Sequence, residues 1–184
     1  YFNETHEAFR ASVRRFIDRE INPYMDEWEE KSVPLHDLFR KMGELGFLGI
    51  RYDPKYGGQG LDYWYETVLL EEAGHIHGFG VSTAIAVQTN MATPAIDAFG
   101  SEYLKDKYLR GAIAGDLVAA IAVTEPDAGS DVFAIKTRAV RKGDHYLLNG
   151  SKTYITNGTQ ADFLTLLAKT GDDGGYHSFG LFVV

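Results

Sequence analysis

Residues 115–131 read Gly-Asp-Leu-Val-Ala-Ala-Ile-Ala-Val-Thr-Glu-Pro-Asp-Ala-Gly-Ser-Asp, and the pattern of the chain changes within this stretch. Before it, apolar residues recur at helical spacing; after it, the chain consists of short runs rich in β-branched and aromatic residues. Helices followed by strands are typical of an α+β protein and not of a doubly wound sheet. The sequence therefore predicts an all-α domain over residues 1–116 and a β-domain over residues 117–184.

Five helices are predicted in the first part of the chain. Their spans are 9–21, Pro34–Gly46, Asp62–Gly74, 79–91 and Ser101–Gly115. Asp and Ser are good helix caps, Pro suits the first helical position and Gly suits the end. The span 79–91 has few charges on any face, so we expect this helix to be buried.

Six strands are predicted in the second part. Their spans are 117–124, 137–141, 146–148, 152–155, 163–169 and 179–184. Residues 142–144 and 171–175 contain Gly and Asp and are typical of hairpin turns. We therefore predict an antiparallel, barrel-like β-domain.

The loop after the first predicted strand has the composition of a ligand-binding loop. Pro126 ends the strand, and small residues follow as far as Asp131. Such a loop leaves backbone N–H groups free to meet an anionic or carbonyl-rich ligand. The alternative is an ordinary strand-to-loop corner in which Ser130 and Asp131 satisfy local backbone groups.

A second informative segment reads Leu148-Asn-Gly-Ser-Lys-Thr-Tyr-Ile-Thr-Asn-Gly158. Within it, Tyr154, Ile155 and Thr156 carry in turn an aromatic ring, an apolar group and a hydroxyl. In an extended strand, one face would then offer an aromatic wall and a hydrogen-bond donor.

Composition excludes several classes of protein. The chain has 184 residues, of which 45% are hydrophobic and 24% charged, as in a soluble globular protein. A net charge of −8 argues against nucleic acid as a partner, and the lack of cysteine excludes disulfides and thiolate chemistry. No apolar run approaches the ~20 residues of a membrane span.

The two segments, in this order and at this spacing, resemble those of the acyl-CoA dehydrogenases. The turn Tyr56-Gly-Gly-Gln-Gly60 and the stretch Phe99–Leu109 are also similar to family features, so the resemblance covers essentially the whole chain. It implies a helical N-terminal domain and a middle β-domain, with the chain ending before the C-terminal helical domain of the family.

The resemblance implies that the flavin of FAD lies between the two segments. The residues that would bind it are Ile121, Val123, Thr124, Gly129, Ser130, Tyr154, Ile155 and Thr156. A hydroxyl placed at flavin N5 can stabilise the charge that develops on reduction, which is the role expected of Thr156. Tyr154 stands where family members often carry Trp and keeps the aromatic face.

The resemblance also implies contacts to an acyl-CoA substrate. Ser130 would touch the acyl-CoA, and Gly129 would give the loop backbone the freedom that a close approach needs. Weaker candidates for the acyl-pocket wall are Val87, Met91 and Pro94, for which plain core packing is the favoured interpretation.

No catalytic or metal-binding residue is predicted in this chain. In the family, a glutamate of the C-terminal helical domain removes the α-proton, and no residue here matches it, so this chain alone is expected to be inactive. Glu125 lies in the flavin motif, but its family counterpart is not the base. His75 and His77 are two residues apart and cannot jointly hold a metal ion on a helix.

The implied function is FAD-dependent α,β-dehydrogenation of an acyl-CoA thioester to the 2-enoyl-CoA, with hydride transfer to flavin N5. Electron-transferring flavoprotein is the implied electron acceptor, and a homo-oligomer, either dimer or tetramer, is the implied assembly. Two alternatives are a truncated, non-catalytic FAD- or acyl-CoA-binding module and an acyl-CoA oxidase of the same fold. The expected location is the cytoplasm in bacteria or the mitochondrial matrix in eukaryotes.

Overall fold

The computed structural model describes residues 1–172 and 174–184, and helices form its first part. The helices are α1 (Glu4–Phe16), α2 (Met25–Lys31), α3 (Leu35–Glu44), α4 (Tyr63–Ala73), α5 (Phe79–Ala86), α6 (Pro94–Phe99), α7 (Glu102–Leu104) and α8 (Arg110–Ala114). Turns of π-helix continue α1, α5 and α7 over Ile17–Ile21, Val87–Ala92 and Lys105–Leu109, and short 3₁₀ turns lie at Asn22–Tyr24 and Pro54–Tyr56.

Side-chain caps set the starts of α4 and α7, as the sequence predicts. The Asp62 carboxylate accepts a hydrogen bond from Trp64 N at 2.9 Å, and Ser101 Oγ accepts one from Leu104 N at 3.4 Å. The helix predicted over 79–91 is α5 with its π-helical turn. Its burial is incomplete, because the side chain of Phe79 is 85% exposed. Helix α6, which begins at Pro94, was not predicted.

The second part forms one mixed sheet. Its strands are β1 (Ala119–Ala122), β2 (Arg138–Lys142), β3 (His145–Asn149), β4 (Phe163–Lys169) and β5 (Phe179–Val183). The α+β class is confirmed, but the antiparallel prediction is corrected: β4 pairs in parallel with β1 and β2, and antiparallel with β5. The order is β1-β4-β2-β3 with β5 on β4, so the sheet is not closed into a barrel.

The two predicted hairpin turns have different outcomes. Residues Gly143 and Asp144 join the antiparallel strands β2 and β3, and Gly143 has the positive φ of 65° that such a turn requires. The turn at 171–175 contains Asp173, which lies outside the described residues. The strands that flank it, β4 and β5, are antiparallel, and a 3₁₀ turn over Tyr176–Ser178 precedes β5.

The strand predicted over 152–155 is absent from the described structure, and this prediction is wrong. Tyr154 has a φ of 56° and Asn157 a φ of 67°, which are incompatible with an extended ladder. Thr153 N instead donates to Thr124 O at 2.9 Å, in the loop after β1. The β-rich composition of the segment is therefore overridden by its contacts with another part of the chain.

A continuous apolar core connects the helices to the sheet. Val87, Ile96 and Leu109 from the helical part pack with Ala119 of β1 and Phe163 of β4. Both strands are buried at these positions, with exposed fractions of 0% for Ala119 and 2% for Phe163. This packing places the loop that follows β1 at the boundary between helices and sheet.

Candidate functional site

The loop between β1 and β2 joins two strands that both pair with β4. Ala122 of β1 pairs with Leu166 and Arg138 of β2 pairs with Lys169, so the two ends of the loop lie beside β4 positions three residues apart, or about 10 Å. Inside the loop, Glu125 and Ala128 exchange two backbone hydrogen bonds of 2.8 and 3.2 Å. The loop therefore leaves the sheet and returns to it nearby, and it is held together by its own backbone hydrogen bonds.

The buried carboxylate of Glu125 ties the two ends of this loop together. It accepts hydrogen bonds from Lys136 N at 2.5 Å, Thr137 N at 2.9 Å and Lys152 Nζ at 2.9 Å. Burial by itself would raise the pKa of Glu125, but these hydrogen bonds outweigh it and lower the pKa to about 2. A carboxylate that acidic, with its oxygens occupied, is poorly suited to remove a proton from substrate.

The second predicted segment lies against the first. Lys152 Nζ donates to Val123 O at 2.8 Å, and Thr153 N donates to Thr124 O at 2.9 Å. Two consecutive residues after β1 are thus bonded to two consecutive residues before Tyr154. The structure brings together the two segments that the sequence singles out.

Tyr154 and Thr156 are presented outward from this junction. The Tyr154 side chain is 91% exposed and its backbone is left-handed, a conformation that costs an aromatic residue on the order of 1–3 kcal/mol. Thr156 is half-buried, and its hydroxyl makes no hydrogen bond within the described residues. A strained, exposed ring beside an available hydroxyl is the kind of outlier that marks a binding site.

Gly129 and Ser130 lie at the far side of the loop. Gly129 does not have a positive φ, and a Cβ at this position would meet no atom within 4 Å. The expectation that Gly129 supplies conformational freedom is therefore corrected, and no described residue requires its small size. Ser130 lines a cleft of about 410 Å³ whose other walls include Phe133, Tyr176 and Phe179.

The remaining predicted residues are dispersed. Ile121 is half-buried in β1, Val87 is 3% exposed within the core, and Met91 is 50% exposed. Pro94 is half-buried at the start of α6. Val87 packs with other core residues, so the core interpretation holds for it, whereas Met91 is exposed.

Sequence reasoning missed the polar side chains that hold the site to the helices. Gln88 Oε1 accepts from Ala119 N at 2.7 Å, and its Nε2 donates to Leu117 O at 2.9 Å. Asn157 Nδ2 donates at 3.1 Å to Ala84 O in α5 and also to Ala119 O in β1. The signal in the sequence is an amide, Gln88, directly after the apolar run 84–87.

The residues that the structure describes lack two kinds of feature. They contain no cluster of three or more His, Cys, Asp or Glu side chains that could hold a metal ion. None of their helices is both long and apolar enough to cross a membrane.

Two family models match this chain. The model of the acyl-CoA dehydrogenase N-terminal domain matches residues 3–116, and that of the acyl-CoA dehydrogenase middle domain matches residues 120–184. The chain belongs to the acyl-CoA dehydrogenase family.

Individual acyl-CoA dehydrogenases agree in sequence and in structure. Glutaryl-CoA dehydrogenase of Desulfococcus multivorans is 38% identical over 183 residues, which are 97% of this chain and 46% of that protein. The crystal structure of an acyl-CoA dehydrogenase from Geobacillus kaustophilus aligns with a TM-score of 0.93 at 39% identity, over 100% of this chain and 48% of the other.

A third relative was solved with a bound cofactor. Glutaryl-CoA dehydrogenase from Mycobacterium smegmatis in complex with FADH2 aligns with a TM-score of 0.88 at 33% identity, over 100% of this chain and 46% of the other. The chain thus spans just under half of the length of the acyl-CoA dehydrogenases that it matches.

Proposed function

We propose that this chain belongs to an FAD-dependent enzyme that oxidises an acyl-CoA thioester to the 2-enoyl-CoA. The observation that carries the proposal is the junction of the two segments, at which Thr153 N donates to Thr124 O at 2.9 Å. This junction presents Tyr154 and Thr156 beside the loop that contains Gly129 and Ser130. The family membership and the FADH2 complex of a relative support it.

The residues at the junction fit a flavin. An exposed tyrosine ring can cover a planar heterocycle, and an unengaged threonine hydroxyl can donate to a ring nitrogen. The proposed FAD contacts are Ile121, Val123, Thr124, Gly129, Ser130, Tyr154, Ile155 and Thr156. When bound, the flavin supplies a hydride acceptor at N5. In this assignment, Thr156 stabilises negative charge, and Tyr154 keeps water from the ring.

The proposed substrate site adjoins the flavin site. Ser130 borders an apolar, aromatic cleft of about 410 Å³, a volume within the range of small-molecule sites. We propose that the pantetheine arm of acyl-CoA contacts Ser130. Met91 and Pro94 stay weak candidates for the acyl-chain wall, and Val87 is better explained as core.

The proposal assigns no general base within this chain. Glu125, whose pKa is lowered to about 2, is engaged by three donors. We propose that the α-proton is removed by a glutamate of a C-terminal helical domain, that electrons pass to electron-transferring flavoprotein, and that the enzyme is a homo-oligomer. The division into domains at residues 116 and 117 stays a prediction.

An anaerobic absorbance experiment on the full-length protein tests the proposal. Purified protein should show the visible bands of bound flavin, and a mixed panel of acyl-CoAs should bleach them. Protein that stays colourless after added FAD would contradict the proposed cofactor. A flavin that bleaches and is then rapidly reoxidised by air, without electron-transferring flavoprotein, would favour an oxidase over a dehydrogenase.

A flavin that is bound but never bleached by any acyl-CoA would favour the non-catalytic binding module. Dithionite reduction of the same sample serves as the control, because it shows that the bound flavin can be reduced at all.

A further inference from the structure

A buried ion pair lies behind the two segments of the proposed flavin site. The side chains of Lys152 and Glu125 are 9% and 4% exposed, and Nζ lies 2.9 Å from Oε1. Burying both ions removes their hydration, which is favourable only when each ion keeps a full set of partners. The partners of this pair are therefore informative about its role.

Every partner of the pair belongs to the loop or to the segment that faces it. The Lys152 ammonium also donates to Val123 O at 2.8 Å. The Glu125 carboxylate also accepts from the backbone N–H groups of Lys136 and Thr137, at 2.5 and 2.9 Å. One salt bridge thus connects the start of the loop, the end of the loop and the segment before Tyr154.

The ion pair lies very close in the chain to the predicted flavin contacts. Val123 and Thr124 immediately precede Glu125, and Tyr154 is two residues after Lys152. The backbone hydrogen bond from Thr153 N to Thr124 O joins the residue after Lys152 to the residue before Glu125. A change in the separation of the two charges would therefore move both walls of the proposed site.

We infer that Glu125 and Lys152 are positioning residues that fix the spacing between the two walls of the flavin site. This inference rests on the proposed function. Neither side chain needs to touch the flavin, since the pair acts through Val123 and Thr124 on one side and Tyr154 and Thr156 on the other. The exposed pair Lys136–Asp127, 2.7 Å apart in the same loop, has no such connection to the facing segment.

Variants of the full-length protein test the inference. Lys152→Met removes the charge, Lys152→Arg keeps it, and Lys136→Met is the matched control on the exposed pair. Because Lys152→Met leaves a buried carboxylate uncompensated, the double variant Glu125→Gln/Lys152→Met is included; it removes both charges and so can fold when the single variant does not.

Four measurements apply to each folded variant: the Kd for FAD from titration of the apoprotein, the rate of flavin reduction at saturating FAD and acyl-CoA, the Tm, and the exchange protection of the Thr153 amide. We expect Lys152→Met and the double variant to raise the Kd at least about tenfold, to slow reduction and to lose protection of that amide. Lys152→Arg should recover part of each effect, and Lys136→Met should match the wild type.

The outcomes separate the two proposals. Wild-type protein that binds no FAD overturns the proposed function and this inference together. Wild-type protein that binds and reduces FAD, with a folded double variant of equal Kd and equal reduction rate, overturns the positioning role alone. A double variant with a lower Tm but unchanged Kd, rate and Thr153 protection would show a purely structural pair and would equally overturn it.

Discussion

At the scale of single residues, the hydrogen-bond partners of Glu125 argue against a role for this carboxylate as a catalytic base. A carboxylate within the proposed flavin-binding loop invites assignment as a catalytic base. Its three donors, Lys136 N, Thr137 N and Lys152 Nζ, give it a structural environment instead. The same environment makes its ionisation a measurable part of the stability of the fold.

The pH dependence of stability should report the ionisation of Glu125. Its folded-state pKa of about 2 lies below the value of about 4.3 in an unfolded chain, so its stabilising effect is complete above pH 4.3 and is lost as the pH falls towards 2. We expect Glu125→Gln to be less stable than wild type at pH 7 by about 3 kcal/mol. The gap should close between pH 4.3 and 2.

Urea unfolding at a series of pH values measures this gap. Asp127→Asn is the control, because Asp127 belongs to an exposed ion pair in the same loop, and such pairs contribute little to stability. A gap for Glu125→Gln that stays constant down to pH 2 would contradict the lowered pKa.

Thr156 carries the most specific chemical prediction. In the full-length enzyme, Thr156→Val should slow flavin reduction by acyl-CoA at least about tenfold, because a donor to the developing charge is lost. The circular dichroism spectrum and the Tm should stay unchanged, since the hydroxyl bonds nothing within the described residues. Stopped-flow absorbance measures the rate. Thr159→Val, in the same turn and exposed, is the matched control, and equal rates in both variants would remove Thr156 from its proposed role.

At the scale of elements, a local sequence pattern predicts a strand where the sheet buries that pattern and fails where contacts from elsewhere in the chain decide the conformation. The predicted strand 163–169 is β4 without change, because its apolar and β-branched residues are buried in the sheet. The segment 152–155 has an equally strand-like composition but bonds to Thr124 and Val123 across the chain. Lys152 and Glu125 are 27 residues apart in sequence, and no local pattern indicates that they pair.

Gly115 ends α8, where the sequence predicts the end of a helix. Gly115 has a φ of 79°, and a Cβ there would overlap the carbonyl of Phe39 in α3. We expect Gly115→Ala to lower the free energy of unfolding by about 2 kcal/mol or more, through strain and displacement of α3. Gly80→Ala is the control, because a Cβ at Gly80 meets nothing within 4 Å and its φ is not positive. Equal urea midpoints for the two variants would contradict this account.

At the scale of the whole molecule, buried amides hold the helices and the sheet in register. Gln88 reaches from the π-helical turn after α5 to the backbone on both sides of Val118. Asn157 makes a similar bridge between Ala84 and Ala119. These contacts couple the proposed flavin site to the helical part of the chain, which the order of elements in the sequence did not reveal.

Replacing Gln88 should therefore destabilise the molecule as a whole. Gln88→Leu removes the side-chain partner of the buried groups Ala119 N–H and Ala112 C=O, at a cost of about 3 kcal/mol. Gln160→Leu is the graded control: Gln160 also bridges by bonding Leu35 N and Val33 O, but it is only half-buried, so water can replace it. Urea unfolding followed by tryptophan fluorescence measures both, and a larger effect at Gln160 would contradict the ranking.

The place of β4 in the sheet has a consequence for the order of folding. The strands β1, β2 and β5 all pair with β4, although β1 precedes it by more than forty residues. During synthesis, the hairpin of β2 and β3 can form as soon as it emerges, while β1 and the Glu125 loop must wait for residues 163–169. We therefore expect the loop that we assign to the flavin to be among the last parts of this chain to become ordered.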